Sequence, residues 1–533
     1  MSFNLLHEPW VPALIGGTAV EVSLGDALRR AHEIDSLDHG DPLVAAATYR
    51  LLLALTLAVD RRPGEEGWQA RLAAGLFDEA AVDTFASDDG ELFDLFHPER
   101  PFYQVGGLEA LSGRWSSPAL LMPEVASGNN VPLFSFAPEE AVPPLSAPVA
   151  ARRLLACHAF DTAAIKTGAK DDPRAKAGKT TGNPVGYLGG LGFTMPLGRT
   201  LFETLALNTP VLDPGGDDEP SWRRQLSAQW EIKQPRGPLE LLTWQSRRIR
   251  LGTAVGANGE QVVDRVIVAA GDRMHFSPGF EPHTLWRTNK DKGGAAFLPA
   301  RHQAGRSPWR GLSALLALQP DGDSVRGGGR TTCAALSHLV EAVDPDEYPV
   351  DAFVVGVEYG NQSAVVENTI ADRVPVPLQA VGDEMLQSSL GGAVEQAELC
   401  MRALNGLQAN LREAVGGDKI PWDKGERPGD GFVAGLDRPA RELFLGVRDD
   451  IGSLAYALAQ WEHELWVRSW EVADPLLDDA PAATVMGRGA KDFPRRLNTA
   501  EASFRAALNK ALPTERAARD AEREARKTAK EST

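Results

Sequence analysis

The stretch "EMLQSSLGGAVEQAELCMRALNGLQANLREAV", Glu384 to Val415, places Leu386, Leu390, Val394, Ala397, Met401, Leu404, Leu407 and Leu411 three or four residues apart. That spacing draws one apolar stripe along a helix of about eight turns. A helix with a single apolar stripe must bury it against partners. After a polar, Gly-rich loop running to about Gly431, partners follow in sequence. Asp437 reads as the N-cap of "RPARELFLGVRDD". Leu454, Leu458, Trp461 and Leu465 form a third apolar row, and Phe493, Leu497, Phe504 and Leu508 a fourth. Four such segments predict a four-helix bundle over residues 381–512. The tail, 513–533, is charged and nearly free of large apolar residues, and reads as a solvated helical extension or a disordered end.

The first 380 residues have a different grain: Pro and Gly throughout, long loops and short mixed elements. Strand-like runs occur at "NVPLFSF" near Leu133, "DRVIVAA" near Val266 and "DAFVVGVEYG" near Val355, and a helical run at "SPWRGLSALLALQ" near Leu312. The predicted fold class is α+β, a large irregular mixed α/β domain (1–380) followed by the helical bundle (381–512). The most apolar window, "PLVAAATYRLLLALTLAVD", is interrupted by Arg50 and closed by Asp60, Arg61 and Arg62. It reads as a buried core helix with Asp41 as N-cap and Pro42 in the first turn, not as a membrane span. The start "MSFNLLHEPW" lacks the basic-then-apolar pattern of a secretory leader. Cys157, Cys333 and Cys400 are far apart and make no CxxC pair. They point to no disulfide framework and no zinc ribbon, and to a reducing, cytoplasmic setting.

The formal net charge is −18 across 533 residues. Nucleic-acid binders that act alone are usually basic, so this chain can hold a polyanion only through local islands on an acidic body. One island surrounds "AGKTTGNPVGYLGGLG", Ala177 to Gly192. Its Gly178-Lys179-Thr180 invites a nucleotide-phosphate reading. A Walker A loop, however, needs a glycine where Pro173 stands, and proline offers no N–H. The polar run "AIKTGAKDD" also gives no strand signal ahead of the loop. Between Lys166 and Gly192 lie Lys166, Lys170, Arg174, Lys176 and Lys179 against two aspartates, among seven glycines. Positive charge with a closely approachable backbone suits a nucleic-acid strand. A flexible loop with solvated lysines accounts for the same residues equally well.

A second island, His283 to Arg310, mixes six Lys/Arg residues with Trp286 and Trp309. Basic and aromatic residues together fit phosphates and bases, and Trp309 equally fits a core anchor. At "VEYGNQSAVVEN" a strand-like run ends and presents Asn361 and Gln362 at a turn. Amides can read base edges, and a plain turn also favours Asn. No catalytic pattern stands out. "HELWV" has Val467 where HExxH needs histidine, there is no GxSxG elbow, and the ten histidines form no metal-spaced cluster.

Several stretches are co-linear with a known family. "NLLHEPWVPALIGG", "HPERPFYQV", Gly178–Gly192 and "YGNQSAVVEN" resemble, in order and spacing, the large subunit of the type I-E CRISPR Cascade complex, the CasA family. The resemblance covers essentially the whole chain. It implies a non-catalytic, cytoplasmic subunit of an RNA-guided surveillance complex. The implied partners are the other Cascade subunits, CRISPR RNA, double-stranded target DNA and a helicase–nuclease, with no cofactor and no membrane. The subunit reads the PAM, largely from the minor groove, and opens the duplex so that the guide can pair. The family's Asn-Gln wedge corresponds to Asn361 and Gln362. Its glycine loop corresponds to Gly178 and Gly182, with Lys179 beside phosphate. Its basic finger corresponds to Arg273, with Lys290 and Lys292 as alternatives. The complex-anchoring loop corresponds to about 134–148, with Phe134 and Phe136. Relatives that carry cysteine pairs suit zinc; this chain lacks such pairs, so no metal is expected. Two rival readings are a small-molecule enzyme using the Gly-rich loop for a nucleotide and a purely structural scaffold.

Overall fold

Helix Pro42–Val59 is the centre of the first part of the structure, a computed structural model. Residues 2–37, 40–60, 64–125, 142–209, 212, 214–274, 281–288, 297–302, 308–311, 315–316, 330–417, 427–487 and 496–531 are described. The Asp41 carboxylate caps this helix, accepting from the Leu43 and Val44 N–H groups at 3.0 and 3.4 Å. The helix is long and apolar enough to cross a membrane by composition, yet every residue from Leu43 to Ala58 is buried in protein. Arg50 accounts for its own burial: both terminal nitrogens donate to Glu281, at 2.7 and 3.0 Å, so the charge is paired where water cannot reach it. Helix Ala147–Phe160 packs across it.

The chain divides into two units, Met1–Arg306 with Ala317–Val374, and Ser307–Leu316 with Pro375–Thr533. In the first unit, "DRVIVAA" lies in strand Gln261–Ala270, paired antiparallel with Arg247–Val255. Its Ala269 pairs in parallel with Thr167 of the short strand Lys166–Thr167, which in turn pairs antiparallel with Lys179–Thr180. A strand therefore does precede the glycine loop. It is only two residues long, too short for the polar "AIKTGAKDD" run to reveal. The run "DAFVVGVEYG" forms strand Val350–Gly360. It stands between Phe193–Leu197 and its hairpin partner Val365–Val376. "NVPLFSF" and most of the run near Leu312 lie outside the described residues.

In the second unit, helix Glu384–Ala414 packs against Pro428–Ala434, Leu454–Asp478 and Leu497–Ala511, and helix Asp437–Asp449 packs against Leu454–Asp478. The apolar stripe explains the packing of the long helix. Leu386, Leu390, Ala397, Leu404, Leu407 and Leu411 are buried, with Cys400 among them. Trp461 and Leu465 are buried opposite, as are Phe504 and Leu508; Phe493 lies outside the described residues. Asp437 does not cap its helix but lies in the first turn, and its Oδ1 accepts from the Trp309 indole N–H at 2.7 Å. That bond, with Gln387 Nε2 donating to the Leu316 carbonyl at 2.7 Å, shows why Ser307–Leu316 goes with the helices. A contiguous split near residue 380 cannot capture such a piece. The tail forms helix Pro513–Glu531.

Candidate nucleic-acid interface

The glycine loop begins as a miniature hairpin. Lys176 N–H donates to the Lys179 carbonyl at 2.9 Å, and Lys179 N–H to the Lys176 carbonyl at 3.0 Å. Between them Ala177 and Gly178 both hold positive φ, 49° and 75°, the backbone of a two-residue type I′ turn. Gly168 N–H also donates to the Gly178 carbonyl at 2.9 Å. The Lys176 and Lys179 N–H groups are thus engaged with carbonyls and do not face a nucleotide phosphate.

The remaining glycines sort by what a side chain would meet. A Cβ on Gly186 would come within 2.5 Å of the Ala159–Phe160 backbone, and one on Gly189 within 2.0 Å of Tyr359 Oη. These two serve internal packing. Among the described residues, a Cβ on Gly178 would meet only Ser112 Cβ, at 3.9 Å, and one on Gly182, at φ 69°, nothing within 4 Å. Gly178 and Gly182 therefore leave their surface open to a ligand.

The positive island is smaller than its sequence. Lys166 is buried and donates to Asp161 Oδ2 at 2.6 Å. Lys170 pairs with Glu109 at 2.7 Å on the surface. The Arg174 guanidinium stacks over Trp230, 4.3 Å from the ring centroid, and donates to the Trp230 carbonyl. Lys176 and Lys179 remain exposed, with no ion pair to any described residue.

Arg273, in strand Arg273–Met274, stands beside this loop. Its guanidinium lies 3.9 Å from the Trp230 centroid, and Nη2 donates to the Thr181 carbonyl at 3.4 Å. The Trp230 indole N–H donates to Asp172 at 3.2 Å, which fixes the ring that both arginines use. Burial, then the neighbouring charges of Arg174 and Arg247, pull the Arg273 pKa below its ordinary range. A guanidinium crowded by like charges gains from the arrival of an anion.

Asn361–Ser363 forms the turn between Val350–Gly360 and Val365–Val376. Gln362 (φ 58°, ψ 27°) and Ser363 (φ 59°) are both left-handed, and Gln362 is exposed. Two consecutive non-glycine residues in this region cost about 1–2 kcal/mol each. Glycine would relieve that cost and would remove the amide. Below the turn, Tyr359 Oη donates to the Phe160 carbonyl at 2.7 Å.

The turn and the glycine loop share a footing. Ala163 N–H donates to the Ser363 carbonyl at 2.8 Å. Asn183 Nδ2 donates to the Thr180 carbonyl at 2.8 Å and reaches the Ala164 carbonyl at 3.5 Å. Beneath both, Asp161 Oδ2 accepts from Arg247 Nε at 2.5 Å as well as from Lys166. Arg247 Nη2 also donates to the Thr162 and Pro184 carbonyls at 2.8 Å. The structure thus brings Gly178, Lys179, Gly182, Arg273 and the 361–363 turn onto one buried ionic cluster.

Asp161, Arg247 and Trp230 escaped the sequence reading. The basic pair Arg247-Arg248 within a strand was the one available signal, since a buried strand rarely carries two arginines without acidic partners. Lys290, Lys292, Phe134 and Phe136 lie outside the described residues. In the second island Trp286 and Trp309 are both buried, so neither indole offers a face for base stacking. Among the described residues no group of His, Cys, Asp and Glu could hold a metal.

Residues 4–472 match the protein family described as CRISPR-associated protein Cse1. The CRISPR-associated protein CasA/Cse1 of Thermus thermophilus is 34% identical over 344 residues, 60% of this chain and 61% of that protein. That match spans less than two thirds of the relative's length. Among solved structures, Thermobifida fusca Cse1 is 30% identical, covers 96% of this chain and 98% of its own, and superposes with a TM-score of 0.84. Cse1 from Acidimicrobium ferrooxidans is 29% identical, covers 96% and 99%, and gives a TM-score of 0.81.

Proposed function

Since the chain belongs to the CRISPR-associated Cse1 (CasA) family, the large subunit of type I-E Cascade, we propose that it is a non-catalytic subunit that recognises the PAM in double-stranded DNA. On this reading it wedges the duplex open to start R-loop formation and supports recruitment of the helicase–nuclease. Its partners are the other Cascade subunits, CRISPR RNA and target DNA, in the cytoplasm.

The observation that carries the reading is the strained turn at Gln362. A side chain kept at a left-handed, exposed hairpin tip, beside an open glycine loop and a crowded guanidinium, suits contact with a groove edge and its flanking phosphates. Asn361 and Gln362 would meet minor-groove edges, whose degenerate pattern permits tolerance among PAM sequences. Lys179 and Arg273 would meet phosphate, while Gly178 and Gly182 allow close approach. The acidic body repels DNA, so the subunit alone binds weakly and assembly supplies the remaining affinity.

The test is a mobility-shift assay on reconstituted complex, with and without this chain, on duplexes with and without a PAM. PAM preference should require the chain. Preference that persists without it would leave the scaffold reading. Thermal stabilisation of the purified chain by a nucleotide, with no effect on PAM binding, would favour the enzyme reading instead.

A further inference from the structure

We infer that the basic face of the terminal helix, Pro513–Glu531, is a docking surface for the phosphate backbone of nucleic acid, separate from the loops described above. The helix is clamped at its base. Glu462, itself buried and held by Gln396 at 2.8 Å, accepts from the Thr514 and Glu515 N–H groups at 2.7 and 2.9 Å, a carboxylate at the positive end of a helix. The Arg519 guanidinium lies 3.2 Å from the Trp466 ring centroid and donates to Asn509 at 2.7 Å. Leu512 and Glu515 are buried. Beyond them the helix leaves the protein: every residue from Asp520 to Lys530 is exposed.

An arm that buries nothing is held as a helix by its own i,i+4 pairs, such as Arg516–Asp520 and Arg526–Glu522 at 3.6 and 3.8 Å, each worth only a few tenths of a kcal/mol. Its charges are nevertheless sorted. At about 100° per residue, Arg516, Arg519, Arg523, Arg526, Lys527 and Lys530 fall within an arc of about 100°. Ala517, Ala518, Ala521, Ala525 and Ala529 occupy the opposite side. The basic row runs about 21 Å along the axis, and Arg523, Lys527 and Lys530 have no ion pair with any described residue.

The chemistry of this face selects its occupant. It carries no large apolar side chain, so it has neither the anchor that a protein hot spot needs nor the wedge that enters a membrane. What remains is recognition by charge along a line, which fits a row of phosphates and is blind to sequence. In a chain of net charge −18, a cationic row lifted clear of the body on a clamped helix escapes much of the repulsion that the body imposes. The proposal does not depend on the loops, because PAM preference reports on them and PAM-free binding reports on the helix.

The experiment uses the full chain with Arg523→Gln, Lys527→Gln and Lys530→Gln together, substitutions that keep helix propensity. Binding to a PAM-free duplex is followed by fluorescence anisotropy from about 50 to 200 mM salt. The expected result is a loss of about tenfold or more in affinity at low salt. The slope of log K against log salt should fall by about 2–3. The melting temperature and the ratio of PAM to PAM-free binding should be unchanged. Wild-type affinity and slope in this variant, and also in the corresponding triple Glu variant, would overturn the proposal. So would unchanged DNA binding with lost self-association or lost assembly, which would mark a protein-binding face.

Discussion

The Ala163 N–H donates to the Ser363 carbonyl at 2.8 Å. Through that bond the hairpin tip rests on the 161–165 segment, whose Asp161 carboxylate joins Lys166 and Arg247. The same Arg247 donates to the Pro184 carbonyl at the end of the glycine loop. Gln362 and Lys179, both exposed, therefore rest on a buried ionic cluster.

Asp161→Asn removes the carboxylate that pairs two buried cations, Lys166 and Arg247. The expected cost is about 3–5 kcal/mol of stability, seen as a lower midpoint in urea denaturation. The pH dependence should change too. Burial tends to raise the Asp161 pKa, but Lys166 and Arg247 outweigh it and hold the pKa below 3.8. The unfolded carboxyl thus binds its proton more readily than the folded one. The stabilisation from ionised Asp161 is complete above about pH 4 and is lost as pH falls through the folded pKa. In the variant this part of the acid limb should disappear.

His158 sets a second pH window. Its Nε2 donates to the Tyr103 carbonyl at 2.9 Å. Burial, against that hydrogen bond and with help from Arg248 and Arg247, brings its pKa from 6.5 down to about 3. Between those values the unfolded imidazole is protonated and the folded one is neutral, so stability falls as pH falls. The total is of order several kcal/mol. His158→Gln can still donate to Tyr103 and should flatten the dependence of the urea midpoint between about pH 4 and 6.5. An unchanged slope would show that His158 does not titrate in this window.

Sequence showed where periodicity is long and where chemistry is local. The stripe from Leu386 to Leu411, the Asp41 cap and the strands at Val266 and Val355 were legible because each repeats a period or pairs a cap with a first turn. Asp437 misled because an aspartate ahead of an amphipathic run signals a cap, while its true partner, Trp309, lies 128 residues away. The Lys166–Thr167 strand was invisible because two residues carry no period. The glycine stretch looked uniform in sequence. Only packing separates Gly186 and Gly189, pressed on Phe160 and Tyr359, from the open Gly178 and Gly182. Asp161 and Arg247 meet across 86 residues, and no local pattern announces such a pair.

Lys176→Glu with Lys179→Glu should weaken binding of PAM-bearing duplex and lower its salt slope by about 2, since each phosphate that is no longer neutralised removes about one unit. Both side chains are exposed, so the melting temperature should hold within a degree or two, as for surface changes of about 0.5 kcal/mol. Salt titration of the complex checks this. A wild-type slope would return these lysines to the solvated-loop reading.

On the proposed function, the 361–363 turn opens the PAM-proximal duplex. The direct measurement compares R-loop formation by complex carrying Asn361→Ala with Gln362→Ala against wild type, on a PAM-bearing duplex and on a single-stranded target. The double variant should be slowed at least about tenfold on duplex, the loss of roughly 1.4 kcal/mol, with pairing to single-stranded target at the wild-type rate. Equal rates on duplex, with PAM preference retained, would rule out a wedge at this turn.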